Sequence, residues 1–84
     1  MNPTRDIFVQ DRVLNGKRYI AKDYKVILLD DIGEIIWNSL DGTTSFNEIA
    51  ETITSEYNVE KEVVIEDIKV FVNKLYDKGF IEYE

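Results

Sequence analysis

The Asn15-Gly16 pair constrains this chain more than any other feature. It stands between two apolar segments, and both residue types accept the positive φ that a two-residue type I′ hairpin turn demands. Upstream, Ile7, Phe8, Val9, Val13 and Leu14 predict a strand over 7–14; downstream, Arg18-Tyr19-Ile20-Ala21-Lys22 predicts its partner. Lys22-Asp23 marks a second turn, leading into a third strand, Tyr24-Lys25-Val26-Ile27-Leu28-Leu29. An isolated hairpin is marginal in water, whereas three strands with one covered face can hold. The first third of the chain therefore reads as a three-stranded antiparallel meander, with Tyr19 and Tyr24 expected to pair across its second hairpin.

After Asp30 the apolar period changes from two to the three-four spacing of a helix. Asp30 or Asp31 caps a first helix that carries Ile32, Ile35, Ile36, Trp37 and Leu40, and Asp41-Gly42 stops it. Ser45 with Glu48 matches a capping box, and Ile49, Ala50 and Ile53 form the inner stripe of a second helix ending at Tyr57-Asn58. A third helix is predicted from Glu60 to Lys78, with Val64, Ile65, Ile68, Phe71, Val72 and Leu75 on one face. Gly79 ends it, and Phe80-Ile81-Glu82-Tyr83 reads as a short terminal strand. The expected architecture is α+β and winged-helix-like: a three-stranded antiparallel meander, three helices and a short C-terminal strand, in one domain over 1–84.

Composition then removes whole classes of chemistry. The chain has no histidine and no cysteine, so imidazole bases, thiol nucleophiles, disulfides and the usual zinc ligands are all missing. Asp30-Asp31 is the nearest approach to a carboxylate site, and it reads as a strand-to-helix junction with a cap. Asp41-Gly42-Thr43-Thr44-Ser45 lacks the ligand spacing of a Ca²⁺ loop, and the four glycines are too scattered for a phosphate loop. No enzyme and no cofactor are expected. A formal net charge of −7 repels phosphate backbones and anionic headgroups, so neither nucleic acid nor membrane is an expected partner. The third helix, the recognition element of a winged-helix DNA reader, is itself slightly acidic and has no arginine. Cysteine-free composition fits the cytoplasm.

The strand Tyr24–Leu29 is unusual for an edge. Proteins normally blunt a free edge with charge, proline or a bulge, and here Lys25 alone interrupts an apolar run in which both alternating sets, Val26 with Leu28 and Ile27 with Leu29, are hydrophobic. One set faces the helices. The other awaits a ligand, a second copy of the chain, or the terminal strand Phe80–Tyr83, which would make Tyr24–Leu29 central. An extended peptide added to a free edge gains backbone hydrogen bonds, and its alternate side chains enter a neighbouring wall. The nearest wall is the flank of the third helix near Lys69, Asn73 and Tyr76. Val63 and Val70 lie opposite that helix's core stripe, as groove lining, as a dimer contact or as ordinary surface residues. Trp37 lies within the core stripe of the first helix. Proline at Ile27 is expected to abolish peptide binding by removing a ladder donor.

The run Val26-Ile27-Leu28-Leu29-Asp30-Asp31-Ile32-Gly33-Glu34-Ile35-Ile36-Trp37, with Leu40-Asp41-Gly42-Thr43-Thr44 after it and Phe71…Leu75…Lys78-Gly79-Phe80-Ile81 at the close, resembles the PqqD-like family. The resemblance covers nearly the whole chain. It implies a stand-alone recognition element that binds the leader of a ribosomally made precursor antiparallel to the third strand, and hands it to a separate modifying enzyme or leader peptidase. The peptide-binding residues it implies are Tyr24, Lys25, Val26, Ile27, Leu28 and Leu29 on the strand, with Glu66, Lys69, Val70, Asn73 and Lys74 on the third helix. Both the pyrroloquinoline-quinone chaperone branch and the lasso-peptide branch suit a free-standing chain of this size, and Asp-Gly-Thr-Thr leans toward the lasso type. Asp30 where asparagine is commoner, and Glu34 after Gly33, depart from the family pattern. A DNA-associated regulator and a module that dimerises through its edge strand are the competing expectations.

Overall fold

The computed structural model describes residues 2–83. Its strands are β1 (Pro3–Arg5), β2 (Gln10–Leu14), β3 (Lys17–Lys22), β4 (Lys25–Leu29) and β5 (Ile81–Tyr83); its helices are α1 (Asp31–Ser39), α2 (Phe46–Glu56) and α3 (Lys61–Asp77). The meander is present as an antiparallel sheet in the order β2-β3-β4. Asn15 and Gly16 form its first turn, at φ 54° and 76°.

Several expectations are corrected. Ile7 and Phe8 belong to a turn rather than to the first strand. The Phe8 amide donates to Asp6 Oδ1 at 2.8 Å and the Val9 amide to the Asp6 carbonyl at 3.2 Å, which holds this segment out of the ladder. The second turn is Asp23-Tyr24, with φ of 50° and 65°, so Tyr24 precedes the strand that was expected to include it. Tyr19 accordingly stands opposite Leu28, not Tyr24. The terminal strand does not cover β4: β5 pairs antiparallel with β1, an element the sequence did not announce.

The caps read from the sequence close each helix. Asp30 accepts from the Gly33 amide at 2.6 Å, and a Cβ at Gly33 would crowd that carboxylate, at 3.0 Å from Asp30 Oδ1. Ser45 and Glu48 make the reciprocal capping box. Gly79, at φ 79°, ends α3: its amide donates to Tyr76 and the Phe80 amide to Leu75, the paired bonds of a Schellman motif. Arg5 reaches from β1 to the Trp37 and Asn38 carbonyls at 3.3 Å, satisfying the open C-terminal end of α1.

One core joins these elements. Ile20, Ile27 and Leu29 project from the inner face of the sheet onto Ile36, Trp37 and Leu40 of the α1 region, Ile49 and Ile53 of α2, and Val64, Ile68, Val72 and Leu75 of α3. Phe80 and Ile81 close it. Trp37 is a core residue, 2% exposed, and its indole N–H donates to Asp11 Oδ2 at 3.3 Å.

Candidate functional site on the free edge of the sheet

The register of the second hairpin decides which backbone groups of β4 are free. In a two-residue hairpin the residues flanking the loop, here Lys22 and Lys25, exchange both hydrogen bonds, and bonded pairs then alternate along the ladder. Ile20 with Ile27 and Arg18 with Leu29 are therefore the next bonded pairs. The N–H and C=O groups of Val26 and Leu28 point away from β3. Among the described residues no strand lies on that side of β4, and no backbone hydrogen bond outside the ladders reaches Val26 or Leu28. The same register moves the proline test, since the Ile27 amide is spent on β3 and the edge donors belong to its two neighbours.

Side-chain alternation divides β4 as sharply. Ile27 and Leu29 are buried, whereas Val26 and Leu28 are 62% and 53% exposed on the outer face of the sheet. Beside the free edge runs a recess between β4, α1 and α3, about 380 Å³ in volume, with Ile27, Ile32, Ile36 and Phe71 as apolar lining and Asp30, Asp67 and Lys74 at its rim. It adjoins a more open hollow lined by Lys25, Val70, Asn73, Lys74, Asp77 and Lys78. The two share Lys74, so they read as one groove along the edge.

The structure thus brings Lys25, Ile27, Leu28, Val70, Asn73 and Lys74 to one groove, with Val26 and Leu29 on the strand that borders it. Four residues named from the sequence lie apart, one of them Tyr76, whose ring packs on Tyr83 with centroids 5.4 Å apart. Tyr24 is fully exposed in the turn, beside Phe8, Ala21 and Val26 on the outer side of the sheet. Lys69 faces the opposite flank of α3, against Ser45, Phe46 and Tyr83. Glu66 is exposed about 100° around the helix from Asp67, the residue that does line the groove. Asp67 and Phe71 also line the groove and are not among the binding residues expected from the sequence. The signal for Phe71 was available: it sits at the margin of the core stripe, where a large side chain is half-buried and half-presented. Val63 is exposed and Val70 has become groove lining.

Cations secure the Lys25 end of the groove. Lys22 Nζ bridges Asp6 Oδ2 and the Gly79 carbonyl, each at 2.8 Å, and Lys25 Nζ reaches the Lys78 carbonyl at 3.1 Å. Both lysines thereby tie the second hairpin to the negative end of α3. The hydrogen bond and charge of Asp6 raise the Lys22 pKa, and Lys22 in turn lowers that of Asp6. At the other end Arg18 binds Asp11 at 2.7 Å and approaches Glu34 at 3.5 Å, linking β2 and β3 to α1. Arg18 is the main reason that the Asp11 carboxyl lies below its ordinary pKa.

The model of the coenzyme PQQ synthesis protein D family, PqqD, matches residues 13–81, and this chain belongs to that family. The fold is similar to a solved structure described as TbiB1 in complex with the TbiA(beta) leader peptide, with a TM-score of 0.79 over 94% of each chain at 23% sequence identity. No curated protein matches the chain.

Proposed function

We propose that this chain is a non-catalytic recognition module that takes the leader of a ribosomally made precursor as an added strand. The observation that carries this reading is the pair of unspent backbone positions, Val26 and Leu28, beside an apolar groove that no other strand covers among the described residues. A leader antiparallel to β4 would complete the ladder there and send alternate side chains toward Ile27, Ile36 and Phe71. Family membership supports the reading, as does the similar fold of a protein whose structure holds a leader peptide. The bound precursor is then presented to a separate modifying enzyme or leader peptidase in the cytoplasm.

A DNA-reading role fits the charges poorly, since α3 sets Lys61, Lys69 and Lys74 against Glu62, Glu66, Asp67 and Asp77. Self-pairing would use the same edge as the peptide, so a dimer formed that way should dissociate as peptide binds.

The test is fluorescence anisotropy of labelled leader peptides from neighbouring precursor genes, with a DNA duplex as control. Saturable peptide binding and a flat DNA trace are expected. A leader N-methylated on the amides that face β4 should bind at least roughly tenfold more weakly, because each blocked edge bond carries about 0.5–1.5 kcal/mol. Undiminished binding of the methylated peptide would defeat strand addition without any change to the protein.

A further inference from the structure

The groove changes sign along its length. At the Leu29 end Asp30 and Asp67 rim the apolar lining, Lys74 stands where the two hollows meet, and at the Lys25 end Lys25 and Lys78 face Asp77. Neither Asp67 nor Lys74 is engaged in any of the four ion pairs among the described residues, so their charges are available to a ligand. The alternation of strand side chains converts this polarity into a sequence rule. Residues of an added strand opposite Leu29, Ile27 and Lys25 share the inner face and point toward α3, while those opposite Val26 and Leu28 point to solvent. Each pair in this sheet is antiparallel, and an antiparallel newcomer would pass Leu29 first and Lys25 last.

We infer that the site selects peptides in which a basic, an apolar and an acidic residue follow one another at alternate positions, in that order from the N-terminus. This rests on the strand-addition reading and adds to it the chemical class and the polarity of the ligand. The basic residue meets Asp30 and Asp67, the apolar one enters the recess at Ile27 and Phe71, and the acidic one meets Lys25 and Lys74. Reversing the two charges leaves composition and β-propensity unchanged but places like charges together at both ends.

Two blocked peptides of about ten residues decide the matter, with identical flanks and a centre of lysine, serine, leucine, serine, glutamate, or the same centre with lysine and glutamate exchanged. Exposed ion pairs are weak, so the first peptide should bind roughly three- to tenfold more tightly than the second. The gap should close in about 1 M salt, where the screening length falls to about 3 Å. A protein carrying both Asp67→Lys and Lys74→Glu should prefer the second peptide. Equal binding of the two peptides, or preference of the unmodified protein for the second, overturns the charge order. If in that case N-methylation of the peptide still abolishes binding, strand addition stands and the polarity alone has failed. Binding that ignores N-methylation, or no binding of either peptide, removes both.

Discussion

Single side chains here act mainly by closing helix ends and tying the hairpins to helices. Asp30 holds the Gly33 amide at 2.6 Å, and its replacement by alanine should cost about 1 kcal/mol, read from the denaturant midpoint. Glu60 precedes α3 without a side-chain cap, so Glu60→Ala should leave the midpoint nearly unchanged. Equal costs at the two positions would contradict this account of the caps. Asp41 accepts from the Thr43 and Thr44 amides at 2.9 and 2.8 Å and from both hydroxyls, which together hold its carboxyl far below its ordinary pKa of 3.8. Asp6 and Asp11 are lowered by Lys22 and Arg18 in the same direction. A carboxyl with a lower pKa in the folded than in the unfolded state stabilises the fold fully above the unfolded value, and less as pH falls through the folded one. Thermal melts should therefore lose stability below about pH 4. Asp41→Asn should flatten the lowest part of that decline, whereas an unchanged profile would remove Asp41 from the explanation. Lys22 works with the opposite sign: its raised pKa gives stability that is complete below 10.5 and fades at higher pH.

At the scale of elements, much of the fold was legible because the signals were local. An Asn-Gly pair, a capping box and a glycine after the last turn each act within a few residues, and each stands where the pattern put it. β1 was illegible for the opposite reason. Three residues carry no alternation, and Pro3 reads as a breaker until its partner, some eighty residues later in the chain, supplies the other half of the pair. The second hairpin shows how a small error reverses a conclusion. Tyrosine is a poor signal for positive φ, so the sequence points to a turn one residue before the one that forms at Asp23-Tyr24. A one-residue shift exchanges which groups face the partner and which face outward. It made Ile27 the edge donor, where the register assigns Val26 and Leu28. Leu28→Pro should therefore abolish leader binding with little loss of thermal stability, because proline is tolerated on an edge whose N–H faces solvent. Ile27→Pro breaks a bond to β3 at a buried position and should unfold the sheet. Peptide binding by a folded Leu28→Pro protein would contradict the assigned register.

The whole molecule is a small core with the outer sides of β2 and β4 as the edges of its three-stranded sheet, and the groove lies along β4. Stability of about 5–15 kcal/mol is usual for a domain, and large-to-small changes in a core cost about 2–5 kcal/mol each. Leu75, fully buried on α3, joins the sheet to the helices, so Leu75→Ala should lower the melting temperature by many degrees. A change at Lys69, on the far flank of α3, should alter neither stability nor peptide affinity. The helix side of the groove was only half legible in the sequence. Val70, Asn73 and Lys74 were named correctly as neighbours of β4, but which of Glu66, Asp67 and Lys69 turns inward depends on how α3 is rotated against the sheet. Its broad apolar stripe, with Ile65 and Phe71 only partly buried at its margins, leaves that rotation open until tertiary packing sets it.

The most direct test is residue-resolved amide hydrogen exchange by NMR, with and without a leader peptide. Strand addition predicts that the Val26 and Leu28 amides exchange readily in the free protein and become protected when peptide binds, while Ile27, already bonded to β3, changes little. Saturable binding that leaves Val26 and Leu28 unprotected would place the peptide elsewhere on the molecule and contradict the account at its centre.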